Sequence, residues 1–227
     1  MEQGHELSPW FFLEMACAVA VVIAILAILT TRRLKKVPTS TTQNLVELIV
    51  SSLNNFVVGI IGPKGEKYTP FIGTLFIYIL CMNLLGLIPT LRSPTSSINI
   101  TLSLALIVFV TYNVAGIMET GFRRWFRHLL GDPIWLAPLM FPIHLVGEFA
   151  RPLSLSIRLY GNIFGEETIL AVLAGMSILI IPYVVAIPLQ FPMMLFAVFT
   201  SFIQALVFST LTTIYISIAV STHEEGH

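Results

Sequence analysis

The residues of this chain whose setting most suggests chemistry lie in one stretch, RPLSLSIRLYGNIFGEE at positions 151–167. Arg158 sits in its middle, among Leu153, Leu155, Ile157, Leu159 and Ile163. A guanidinium keeps its charge at any accessible pH. Placing one deep in a bilayer costs about 2.5–3.5 kcal/mol on insertion scales, so such a residue faces protein or a water-filled cavity. The chemistry open to it is electrostatic: it can hold an anion or a carboxylate. The plainer alternative is an internal ion pair that ties two helices of this chain together.

Helical geometry says what the arginine faces. At ~100° per residue, Arg151 and Gly165 fall within about 20° of Arg158, Ser154 and Asn162 within about 40°, and Gly161 near 60°. The arginine therefore shares its face with small and polar side chains. The Gly161–Gly165 spacing lets another helix approach closely. Either a helix of this chain or an acidic helix of another subunit would fit. Glu166 is turned about 80° away and Glu167 about 180°, so neither aims at the guanidinium. Glu148 falls on the side of Glu166. The chain offers Arg158 no evident carboxylate, and the partner must come from elsewhere. Gln204 is the polar residue of the last apolar segment that is hardest to satisfy alone. Its neighbours Thr200, Ser201, Ser209, Thr212 and Thr213 can bond their own backbone.

These residues need a frame, and composition defines it. Of the 227 residues, 56% are hydrophobic and 11% charged, about half the charge of a soluble domain. That indicates one all-α integral membrane domain over 1–227. The net charge of zero leaves no basic footprint, so nucleic acid is not an expected partner. Cys17 and Cys81 lie inside apolar runs and read as small hydrophobes. No metal-ligand spacing is visible, and no cofactor is expected. The first apolar run is followed, not preceded, by its positive charges, so it reads as a retained helix rather than a cleaved signal.

About 20 apolar residues cross a bilayer. Residues 1–38 supply a first helix, Trp10–Thr31, and its basic flank. Residues 70–120 supply two more, Phe71–Pro89 and Ile98–Met118. Residues 133–220 read as a hairpin of two long helices, about 138–173 and 183–220, broken by Pro182, Pro188 and Pro192 and turning near Gly175. A helix of about 36 residues runs ~54 Å, well beyond a ~30 Å hydrocarbon core. The pair must be strongly tilted, as if wrapped around something. Residues 39–69 differ. Leu45, Leu48, Ile49, Leu53, Phe56 and Val57 recur at helical spacing opposite Ser, Asn and Glu47, which predicts an amphipathic helix lying on the membrane surface. The expected architecture is thus five crossings plus one interfacial helix. Placing the basic loops RRLKK, KGEK and RRWFR inside puts the N-terminus outside and the C-terminus, STHEEGH, in the cytoplasm.

The segment LSLSIRLYGNIFGEE at 153–167 resembles the signature of subunit a of F-type ATP synthases. NLLGLIPT at 83–90, SINITLSLAL at 97–106, PIHLVGEFARPLSLSIRLYGN at 142–162 and FIQALVFSTLTTIYIS at 202–217 resemble that family in the same order. The likeness implies the stator half of a proton path, packed against a rotating ring of subunit c hairpins that each carry one membrane carboxylate. It implies a peripheral-stalk subunit b and the rest of the complex as further partners, with lipid around them. It assigns Arg158 as the essential arginine, and Asn162, Glu167 and Gln204 as polar positions lining the path or touching the arginine. Glu148 and His144 would border the cytoplasmic half-channel. Some members carry an aspartate at the position of Gly86 and a histidine at that of Ala197. With both non-polar here, the external half-channel would rely on Glu166, Glu167, Asn83 and water.

The resemblance further implies a non-catalytic, proton-translocating subunit. A short chain with no evident transit peptide makes a bacterial inner membrane the expected location, with an organelle membrane the alternative. GxxxxGK[ST] is absent, so ATP chemistry would belong to other subunits. Two alternatives compete. An independent secondary transporter would use Arg158 to bind an anionic substrate, but no repeat relates the two halves. A passive membrane anchor would not need a buried arginine beside two glutamates.

Overall fold

The computed structural model describes residues 9–32, 41–88, 91–123, 125, 137–180 and 186–221. Several sequence readings fall outside them: the N-terminal eight residues, Arg33, Lys35 and Lys36, Arg124 and Arg127, Pro182, and the C-terminal tail.

Six long helices make up the described chain: α1 (Pro9–Thr31), α2 (Thr41–Ile61), α3 (Thr69–Leu85), α4 (Ile98–Thr120), α5 (Ala137–Ile180) and α6 (Ala186–Ser221). Short 3-10 turns at Pro63–Tyr68 and Pro94–Ser96 lead into α3 and α4. All-helical structure is what a bilayer demands, because a helix satisfies its backbone polar groups internally. Gly62 and Gly121 close α2 and α4 with φ of 87° and 78° and ψ of −169° and 145°, a positive-φ, extended conformation open to glycine because it has no Cβ.

The core lies where α3, α4, α5 and α6 meet. Ile72, Ile79 and Met82 of α3 pack with Val108 of α4, Leu155 and Leu159 of α5, and Phe208 and Ile216 of α6. α1 is the outlier. Val21, Val22, Ile25, Leu26, Ile28 and Leu29 are all exposed, as suits a helix solvated by lipid. It touches the bundle through Ala16 and Val19, and Tyr78 Oη donates to Ala16 O at 3.0 Å.

Two expectations need correction. Gly175 is not a turn: α5 continues through it to Ile180. Nor do the prolines all break helices. Pro142 and Pro152 lie inside α5 and Pro192 inside α6. Pro188 falls in the first turn of α6, where its missing N–H had no helical partner to lose. Internal prolines are tolerated in membrane helices because neighbouring helices and side chains re-satisfy the freed carbonyls. With 44 and 36 residues, α5 and α6 run ~66 and ~54 Å, so each lies oblique to a bilayer or extends past it.

Among the described residues, five helices are long and apolar enough to cross a membrane: Trp10–Thr31, Gln43–Ile61, Pro63–Leu85, Ile98–Thr120 and Phe191–Val220. That set includes α2 and leaves α5 as the sixth helix, whose charges Glu148, Arg151, Arg158, Glu166 and Glu167 are strung along its length. Length and composition therefore qualify α2 as a span, although its pattern is that of a surface helix. Its apolar face divides: Leu45, Leu48 and Ile49 are exposed. Val57 is buried against the core, and Asn54 Oδ1 accepts from Thr69 at the start of α3 at 2.9 Å.

Candidate functional site

α5 carries the site, in three stations. Arg158 is exposed and has no hydrogen-bond or ion-pair partner among the described residues. Its neighbours explain why no helix of this chain shields it. A Cβ added at Gly161 or Gly165 would meet nothing within 4 Å. The small-residue face thus serves no packing within the described chain and forms a notch on the outer surface of α5. Elsewhere on these two helices, Leu153, Ile157 and Phe164 of α5 and Leu195, Phe199 and Phe202 of α6 are exposed as well. One turn beyond Arg158, Asn162 Nδ2 donates to Gln204 Oε1 at 2.6 Å. Gln204 is buried, and its Nε2 and the nearby Ser201 Oγ have no partner among the described residues. Thr212 and Thr213 bond their own helix backbone.

Toward the C-terminal end, about nine residues or ~14 Å along the axis, stand Glu166 and Glu167. Glu167 Oε1 accepts the backbone N–H of Ser93 at 2.9 Å. Ser93 belongs to the connection between α3 and α4. Its hydroxyl donates to Met82 O at 2.8 Å and lies 2.5 Å from Thr95 Oγ1, which donates to Asn83 Oδ1 at 2.7 Å. These three contacts share only two hydroxyl protons. Asn83 Nδ2 is meanwhile buried without a partner among the described residues. Turning the Asn83 amide over resolves the count, with Asn83 donating to Thr95, Thr95 to Ser93 and Ser93 to Met82 O. A cleft of about 640 Å³ opens beside this cluster, lined in part by Gly86, Arg92, Phe164, Glu167, Thr168 and Met194. Glu166 is half-buried, and its Oε1 has no hydrogen-bond partner among the described residues.

Toward the N-terminal end, ten residues or ~15 Å from Arg158, Glu148 is fully engaged. Arg151 Nη1 donates to its Oε1 at 2.7 Å, and Tyr112 Oη of α4 donates to its Oε2 at 2.6 Å. Arg151 also lies over the Tyr215 ring of α6, 5.6 Å from the centroid, within cation–π range. His144 is partly buried one turn earlier.

The structure thus joins Asn162 to Gln204 and links Glu167 through Ser93 and Thr95 to Asn83, and it keeps Glu148 and Glu167 apart on either side of Arg158. Sequence reasoning missed Ser93, Thr95 and Tyr112. The Ser-Pro-Thr-Ser run at 93–96 carried a turn signal, but nothing in it pointed to a carboxylate 74 residues later.

Fold and site together define a membrane-embedded helical protein with a lone arginine between two polar clusters on one long helix. The chain belongs to the ATP synthase A chain family, whose model matches residues 12–217. It is similar to "ATP synthase subunit a" of Protochlamydia amoebophila (strain UWE25), at 41% identity over 97% of this chain and 83% of that protein. The proteins of the same name from Geotalea uraniireducens (strain Rf4) and Geobacter sulfurreducens (strain ATCC 51573 / DSM 12127 / PCA) are 44% and 40% identical, covering 91% and 100% of this chain and 84% and 91% of those proteins.

Proposed function

We propose that this chain is the stator subunit of a rotary ATP synthase and conducts protons past Arg158 to a rotor. The observation that carries the reading is an exposed, unpaired arginine on an apolar surface, flanked at ~14–15 Å on each side by carboxylates in polar clusters. A guanidinium in lipid contact is costly. Opposite a ring of subunit c carboxylates it has a partner at every step. In this reading the cleft beside Glu167, Glu166 and Asn83 is the external half-channel, and Glu148 and His144 border the cytoplasmic one.

A proton entering by the first half-channel neutralises a ring carboxylate, which then turns into lipid. After nearly a full turn the carboxylate reaches the second half-channel and releases its proton. Arg158 attracts the ionised carboxylate as it arrives, and an opposite charge favours the ionised form. The fixed positive charge between the half-channels also bars a proton from passing straight across. Asn162 and Gln204 hold the polar seam beside it. Each proton moved down 100 mV supplies ~2.3 kcal/mol, spent on rotation, so this subunit catalyses no ATP chemistry itself.

The same reading places the chain in a bacterial inner membrane with the N-terminus outside, and subunit b of the peripheral stalk against it. An independent anion transporter is disfavoured by family membership. The test is proximity. With cysteine replacing Gly161, and another beside the ring carboxylate, oxidation of the assembled complex should cross-link the two chains. Free labelling of the Gly161→Cys thiol by a lipid-soluble maleimide, with no cross-link, would contradict a ring seated on this face.

A further inference from the structure

Glu167 stands on α5, yet the group that fixes its carboxylate comes from the α3–α4 connection. That donor is a backbone N–H, so no side-chain pattern announces it. The connection is built to present it. Ser93 and Thr95 are both 0% exposed. The Ser93 hydroxyl is anchored on Met82 O, Ser96 N donates to Ser93 O at 3.1 Å, and Ser96 Oγ donates to the same oxygen at 2.7 Å. Ser93 has φ −65° and ψ 129°, an unstrained extended conformation.

Gly86 makes room for this arrangement. Its φ of −64° and ψ of −15° are ordinary helical values open to any residue, so glycine is not there for its backbone freedom. A Cβ at Gly86 would lie 3.0 Å from Ser93 Cβ and 3.4 Å from Glu167 Oε1. Ser93 cannot retreat cheaply, because it is buried and hydrogen-bonded. An added methyl would therefore push Ser93 away from Glu167.

We propose that the Ser93 N–H is a positioning group for Glu167, and that Gly86 is the gap that lets it reach the carboxylate. This rests on the reading of Glu167 as a proton-exchanging group of the ion path. The Ser93 N–H holds Glu167 Oε1 at the edge of the cleft. The Ser96 hydroxyl and the Arg92 guanidinium of the same connection also act on this carboxylate, and Glu166 is the charged neighbour on its own helix.

The test measures ATP-driven proton pumping against pH in inverted vesicles containing the whole complex, with assembly followed by immunoblot. Ser93→Ala keeps the N–H and sets the reference. Ser93→Pro removes the N–H, while φ of −65° suits proline and ψ of 129° already suits a residue before Pro94. A carboxylate that loses an N–H donor holds its proton more tightly. Ser93→Pro should therefore move the half-maximal pH upward from the Ser93→Ala value by about one unit, the size of one hydrogen bond to a charged group. Gly86→Ala should move it the same way by a smaller amount.

Glu167→Gln separates the two levels of the claim. If it pumps normally, the reading of Glu167 itself fails. If it blocks pumping while Ser93→Pro and Gly86→Ala keep the reference profile, the positioning role is overturned. If Ser93→Pro fails to assemble, Gly86→Ala decides: an upward shift supports the proposal and an unchanged profile refutes it.

Discussion

Arg158 and Glu148 lie on one helix and receive opposite treatment. Both oxygens of Glu148 are met within the chain, by Arg151 and Tyr112, whereas Arg158 is met by nothing described. A carboxylate so engaged is already oriented, and Tyr112 is the part of that arrangement contributed by another helix. Tyr112 is 2% exposed, so Tyr112→Phe removes a buried donor without opening much space. The expected cost is about 1–3 kcal/mol, read as a lower thermal-inactivation midpoint of the detergent-solubilised complex. Glu148→Gln also loses the charge pairing with Arg151, so the double variant should cost more than Tyr112→Phe but less than the sum of the two single changes, because both singles weaken the shared Tyr112–Glu148 bond. Fully additive losses would show that the hydroxyl and the carboxylate are not coupled. The sequence made the isolation of Arg158 legible, since a 100° step places both glutamates off its face. It could not reveal Tyr112, an aromatic in an apolar run whose hydroxyl finds its partner 36 residues away.

At the scale of elements, hydrophobic runs and helical periodicity located the six long helices, and turn chemistry misled where the solvent is lipid. Gly175 and Pro192 would be breakers in water, but α5 and α6 pass through them. α2 shows the converse ambiguity. Its 1.6 mean hydropathy over Gln43–Ile61 suffices for a span, while its face of Leu45, Leu48 and Ile49 opposite polar residues suits the interface. Cysteine labelling in a background lacking Cys17 and Cys81 decides between them. An interfacial α2 keeps its two ends together, so Gln43→Cys and Lys64→Cys should react with an impermeant maleimide from the same side. Labelling from opposite sides would make α2 a crossing and invert the topology of everything before it.

For the whole molecule, the legible part was the class and the isolation of Arg158; the hidden part was the wiring. The helical pattern of 153–167 implied a missing partner for Arg158, and the exposed notch at Gly161 and Gly165 gives that partner a place to sit. The contacts that join Asn83, Thr95, Ser93 and Glu167 come from three segments brought together only by folding. Both levels bear on one claim, that a fixed positive charge between two half-channels couples proton flow to rotation. The direct measurement compares Arg158→Ala with the unaltered complex in vesicles, recording ATP-driven pumping and passive proton leak together. The account predicts that pumping is lost and that leak is unchanged or raised. Pumping at the unaltered rate would make Arg158 dispensable and contradict the mechanism at its centre.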